Sequence, residues 1–157
     1  MTSPTTLSLT SGAFINEGVI PTRHTCDGAD VSPALSWTKP PEGTRSLALI
    51  CDDPDAPSGV WVHWVLFNMP PETTSLGEGP LKERELKNGA IQGRNDFGRI
   101  GYGGPCPPRG PAHRYYFKLY ALEVTLPPGA GASKKELETA MAGHIVAQGQ
   151  LMGRYGR

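Results

Sequence analysis

Three carboxylates, Asp52, Asp53 and Asp55, fall within four residues of one another in Cys51-Asp52-Asp53-Pro54-Asp55-Ala56-Pro57. A histidine, His63, follows shortly after, and a second, His113, opens the run His113-Arg114-Tyr115 much later in the chain. Carboxylates facing histidines raise their pKa values and fix which ring nitrogen faces a ligand. They can also receive an ammonium group. Phosphate is repelled by ionised carboxylates, so the positive side of an anion site must come from a protonated His63 or His113, from loop amides and from the Tyr115 hydroxyl. Two aspartates and two histidines are also a donor set for a divalent metal. No His-x-x-x-His or similar ligand spacing occurs, however, so no metal site is assigned. A covalent hydrolase would need a nucleophile, for which Cys106 and Ser58 are the nearest residues.

Each residue also has a plain structural role available. Asp53 and Asp55 are good turn formers. His63 alone reads as a core histidine, and His113 alone as a strand-end surface residue. Taken together, two distant histidines and an aromatic-rich strand favour a site over a turn cap. His24 and His144 have no motif context and are read as structural. Arg114 points opposite to His113 and Tyr115 and is read as an ion-pair partner.

The elements that must position these groups are mostly strands. Leu47 to Ile50 is an apolar run that leads into the carboxylates, where Pro54 and Pro57 interrupt the ladder. From Trp61 the chain alternates, with Trp61, His63, Val65 and Phe67 on one face and Val62, Trp64, Leu66 and Asn68 on the other. His113 to Leu122 alternates more clearly still, with His113, Tyr115, Phe117, Leu119 and Ala121 sharing a face. Pro127 and Pro128 end that segment. Strands are predicted near 46–51, 62–68 and 114–123. Shorter ones are read at Leu7–Thr10, Ser32–Trp37 and Ala90–Asn95, and Pro70–Asn88 is read as a solvated excursion. Ser133-Lys134-Lys135-Glu136 is a capping box that opens a helix near 134–142, with Leu137, Ala140 and Met141 on one face. His144 to Arg154 reads as a last strand, because Gly143, Gly149 and Gly153 weaken a helix. Gly98 to Pro111 is a loop too rich in Gly and Pro for either element, and its amides suit an anion-binding concavity.

The 157 residues predict a single domain over 1–157, and 20 Gly and 16 Pro fit many short strands and turns. Lys+Arg and Asp+Glu balance at 15 each, so no basic excess exists for nucleic acid. No apolar run approaches the ~20 residues of a membrane span. Met1 to Ser11 lacks the pattern of a secretory signal. Cys26, Cys51 and Cys106 are odd in number and without Cys-x-x-Cys spacing. That predicts three free thiols, no disulfide and a cytoplasmic location.

Asp53-Pro54-Asp55-Ala56-Pro57 followed by Trp61 and His63, and Gly104-Pro105-Cys106-Pro107-Pro108 followed by His113-Arg114-Tyr115, together resemble the two signature blocks of the phosphatidylethanolamine-binding protein (PEBP) family. The likeness is to its bacterial branch, the Raf kinase inhibitor-like YbhB/YbcL proteins. Thr25-Cys26-Asp27-Gly28, Ser32-Pro33 and the ending Leu151 to Arg157 fit the same pattern. The resemblance implies a mainly β fold, an antiparallel Greek-key sandwich with one or two peripheral helices. It implies a small anion pocket formed by Asp53, Asp55, His63, Pro105, His113 and Tyr115, with Trp61 nearby. It implies a cis bond between Ala56 and Pro57. The expected function is non-catalytic binding of a phosphate-containing small molecule or phospholipid head group, without a cofactor. Modulation of a kinase or protease through the pocket rim is compatible with it, and a homodimer is left open. The alternative is a metal-dependent or cysteine-based hydrolase using the same Asp/His pocket. The linker from Pro57 to Trp61 is short compared with animal members, and the chain ends near Tyr155; both lead to the expectation of a more open mouth.

Overall fold

The computed structural model describes residues 5–79, 83–127, 129 and 131–157. Among these residues nine strands form two sheets. The strands are β1 (Thr5–Thr6), β2 (Leu9–Thr10), β3 (Leu35–Trp37), β4 (Ser46–Asp53), β5 (Trp61–Met69), β6 (Ser75–Leu76), β7 (Ile91–Gln92), β8 (His113–Leu122) and β9 (Ile145–Tyr155). The larger sheet has the order β1-β9-β8-β4-β5-β7, and the smaller β2-β3-β6. All pairs among these strands are antiparallel except β1 with β9, which run parallel.

Alternation along the long strands builds two cores. Leu47, Leu49 and Cys51 of β4, with Phe117, Leu119 and Ala121 of β8, pack against Leu9, Leu35, Trp37 and Leu76 of the smaller sheet. The opposite face of the large sheet carries Ala48, Ile50, Val65 and Phe67 and is covered by Leu137 and Met141 of α1 (Lys134–Met141). α1 begins as its capping box dictates, with the Glu136 amide donating to Ser133 Oγ at 3.1 Å.

The long strands and the helix lie where the sequence places them, and the tail is β9. Gly149 has a constructive role there. A Cβ at this position would sit 2.1 Å from the Leu7 carbonyl oxygen, so only glycine admits the N-terminal segment beside β9. Two expectations need revision. The strand read at Leu7–Thr10 shortens to β2 at Leu9–Thr10, and Thr5–Thr6 before it forms a separate strand, because the chain crosses from one sheet to the other between Thr6 and Leu9. The excursion at Pro70–Asn88 contributes β6 to the smaller sheet. Pro128, expected to end the β8 segment with Pro127, lies outside the described residues.

The alternation predicted for β5 also fails, at the point that matters for function. β4 pairs Cys51 with Trp64 but Asp52 with Val62, so one step on β4 spans two on β5. This bulge surrounds His63. It lets His63 line a cavity on the inner side with Trp61, while its neighbour Trp64 enters the inter-sheet core. Val65 and Phe67, expected on the face of His63, instead pack towards α1.

Candidate functional site

The three clustered carboxylates part company. Asp52 points to the outer face of the sheet, buried between Lys134 Nζ at 2.8 Å and Lys118 Nζ at 3.2 Å. Asp53, one residue on, points inward and accepts a hydrogen bond from His113 Nδ1 at 2.7 Å. Its other oxygen accepts from the Asp55 amide at 2.7 Å, the turn-forming role that aspartate commonly takes. Asp55 turns to Arg114, whose Nε and Nη2 donate at 2.9 and 2.8 Å, and whose backbone amide donates at 2.9 Å. These bonds hold the Asp55 carboxyl down at about 2 against the opposing effect of burial, and raise the Arg114 guanidinium.

Beyond the end of the inter-sheet core, Asp53, Trp61, His63, His113 and Tyr115 surround a cavity of about 260 Å³. Ala56, Pro57, Ser58, Phe97, Cys106, Pro107 and Pro108 complete its walls. Asp53 and His63 are each only 3% exposed, so their hydrogen bonds are shielded from water. The His63 Nδ1–H donates to the Gly103 carbonyl at 2.6 Å, and burial lowers the ring's pKa more than that bond and Asp53 raise it. His63 is therefore neutral at neutral pH, with Nε2 left as a hydrogen-bond acceptor. His113 commits its Nδ1 to Asp53, which leaves Nε2 for a ligand. Tyr115 packs its ring edge-on against His63 at 5.1 Å and stays a phenol, because burial drives its pKa up.

Five of the expected site residues thus line one cavity, and two do not. Asp55 is taken by Arg114, and Pro105 is buried behind the wall, where its carbonyl accepts from the Cys26 amide at 3.0 Å. Among the described residues no group of three or more His, Cys, Asp or Glu is placed to hold a metal ion. His24 and His144 are structural: His24 donates from Nδ1 to the buried Val31 carbonyl, and exposed His144 faces Glu123.

Phe97 is the cavity residue that the sequence reading missed. Its ring meets Trp61 and His63 edge-on at 5.5 and 5.4 Å. Buried Asn95 shapes the turn that carries it, accepting from the Phe97 and Arg99 amides and donating to the Gly101 carbonyl. The sequence signal was Asn95-Asp96-Phe97-Gly98, a polar turn with an aromatic residue inside it.

Two further expectations are corrected. No cis peptide bond occurs among the described residues, so Ala56–Pro57 is trans. The Gly59 amide donates to the Ala56 carbonyl at 3.0 Å, which closes a β-turn with Pro57 in its second position, where trans proline fits well. The cysteines are not all free: Cys26 and Cys106 form a disulfide, and buried Cys51 alone remains a thiol. The 80-residue separation concealed this pair, which Cys26 N to Pro105 O and Gly104 N to Asp30 Oδ1 bring to a Cα–Cα distance of 5.4 Å. The cysteines therefore give no support to a reducing compartment.

Sandwich, bulge and Asp–His cavity define a class that comparison makes explicit. The chain matches the family model for phosphatidylethanolamine-binding protein over residues 10–156, and it belongs to that family. It is 52% identical to a UPF0098 protein of Methanothermobacter thermautotrophicus, over 96% of this chain and 99% of the other. A UPF0098 protein of Aquifex aeolicus is also 52% identical, with 94% of this chain and 86% of that one covered. Among solved structures, E. coli YbcL, described as a new member of the mammalian PEBP family, superposes with a TM-score of 0.89 at 35% identity, covering 96% of this chain and 98% of that one. A PEBP homologue from Chlamydia trachomatis gives a TM-score of 0.87 at 42% identity, covering 99% of each chain.

Proposed function

We propose that the cavity binds a small phosphate-containing head group without turning it over. The observation that carries this is the hydrogen-bonded His113–Asp53 pair in a cavity lined mainly by aromatic and proline side chains. His113 Nε2 and the Tyr115 hydroxyl are the donors for a phosphoryl oxygen. Asp53 and the free Nε2 of neutral His63 are acceptors for an ammonium group. Among the described residues no lysine or arginine lines the cavity to balance a dianion. A zwitterionic phosphodiester such as glycerophosphoethanolamine matches this charge pattern better than free phosphate does. The same rim, where Phe97 and Pro108 are exposed, is the surface through which a kinase or protease would be modulated.

Trp61 gives the test a built-in reporter, because Trp37 and Trp64 are buried in the inter-sheet core. Titration with glycerophosphoethanolamine should change tryptophan emission saturably, and Trp61→Phe should abolish that change. A flat titration of the native protein, matched by no heat in calorimetry, would overturn the proposal.

A further inference from the structure

The Cys26–Cys106 disulfide stands on the rim of the cavity, and both cysteines are exposed. Cys106 and the two prolines after it line the cavity wall. The two sulfurs have unlike surroundings. Arg157 Nη1 lies 3.9 Å from Cys106 Sγ and 3.4 Å from the Pro107 carbonyl oxygen. Asp27 holds this guanidinium in place, its carboxylate pairing with Arg157 Nη2 at 3.0 Å and accepting from Tyr155 Oη at 2.6 Å. A guanidinium stabilises a thiolate, so charge is better accommodated on Cys106, which Arg157 faces, than on Cys26. Thiol–disulfide exchange expels the sulfur that leaves more readily as a thiolate.

We propose that this disulfide is a thiol-exchange site that sets the affinity of the cavity. An incoming thiolate attacks Cys26 Sγ. A new sulfur–sulfur bond forms there, the Cys26–Cys106 bond breaks, and its electron pair leaves on Cys106 Sγ beside Arg157. With a dithiol, the second thiolate then displaces Cys26. The dithiol becomes a cyclic disulfide, and the protein gains two electrons and its two cysteines in reduced form, with protons exchanged with solvent. The fold survives the step, because Cys26 N to Pro105 O, Gly104 N to Asp30 Oδ1 and Tyr102 Oη to the His24 carbonyl still join the two loops. What changes is the wall: residues 106–108 lose their covalent tether, and a negative charge appears at Cys106. Because the phosphate reading places an anion beside this wall, the reduced protein binds it more weakly.

The exchange site and its effect on binding are read separately. The native protein is treated with 2-mercaptoethanol, quenched with N-ethylmaleimide and mapped by peptide mass spectrometry. Affinity for glycerophosphoethanolamine is measured before and after complete reduction with dithiothreitol. The mercaptoethanol adduct is expected on Cys26 and the maleimide on Cys106, with affinity about tenfold weaker after reduction, the size expected from one unfavourable charge near a partly shielded ligand. Arg157→Gln should slow the exchange and spread the adduct over both cysteines. In Cys26→Ser/Cys106→Ser, dithiothreitol should leave affinity unchanged. An adduct on Cys106, no exchange under conditions that reduce a small-molecule disulfide, or equal affinity before and after reduction would overturn the proposal. If the oxidised protein does not bind the probe, the phosphate reading fails, while the adduct map still decides the exchange site.

Discussion

At the scale of single residues, the side chains that look alike in sequence are separated by the faces they occupy. Asp52 and Asp53 are adjacent on a strand and so point to opposite sides of the sheet, one to two lysines and the other to a histidine. Asp55 lies beyond Pro54, off the strand, and meets Arg114 at its edge. Its carboxyl is held at about 2, below the roughly 3.9 of an unfolded chain. A depressed carboxyl contributes stability that is present above the unfolded value and lost as pH falls through the folded one. The urea midpoint should therefore drop between about pH 4 and pH 2, and Asp55→Asn should flatten that part of the profile. Identical profiles for the two proteins would show that the pair contributes nothing. Gly103 offers a second test. A Cβ there would lie 2.6 Å from the Phe97 ring, so the ring would have to shift from its edge-on contacts with Trp61 and His63. Gly103→Ala should displace Phe97 and weaken head-group binding severalfold while costing less than about 1 kcal/mol of stability. Unaltered binding would remove Phe97 from the site.

At the scale of elements, β4, β5 and β8 carry the chemistry because they lie side by side and end at the same place. Much of this was legible in the sequence. The alternation of β8 put His113 and Tyr115 on the face of Phe117 and Leu119, and both now belong to the cavity. Ser133 and Glu136 marked the start of α1. The bulge at His63 was not legible, because a strand's own pattern does not show how many residues its partner spends beside it. Phe97 reaches the cavity through a turn held by Asn95, and Asp55 leaves it for a residue nearly sixty positions away. Such pairings are tertiary facts. So is the disulfide, which closes a loop spanning an 80-residue separation. A loop of this size corresponds to about 4.5 kcal/mol of lost unfolded-state entropy, of which 2–4 kcal/mol is typically realised. Cys26→Ser/Cys106→Ser should lower the unfolding free energy by about that amount in urea titrations without disturbing the far-UV spectrum. An unchanged midpoint would mean that the hydrogen bonds between the two loops suffice.

At the scale of the whole molecule, the sandwich provides a rigid inner face, and the loops beyond its end enclose a cavity with few charges. His113, oriented by Asp53, is proposed to donate from Nε2 to a phosphoryl oxygen of the head group. Calorimetric titration of glycerophosphoethanolamine into native protein and His113→Ala tests this most directly. His113→Ala should bind about tenfold or more weakly while keeping the native far-UV spectrum and a cooperative unfolding transition. Equal affinity in the two titrations would contradict the account.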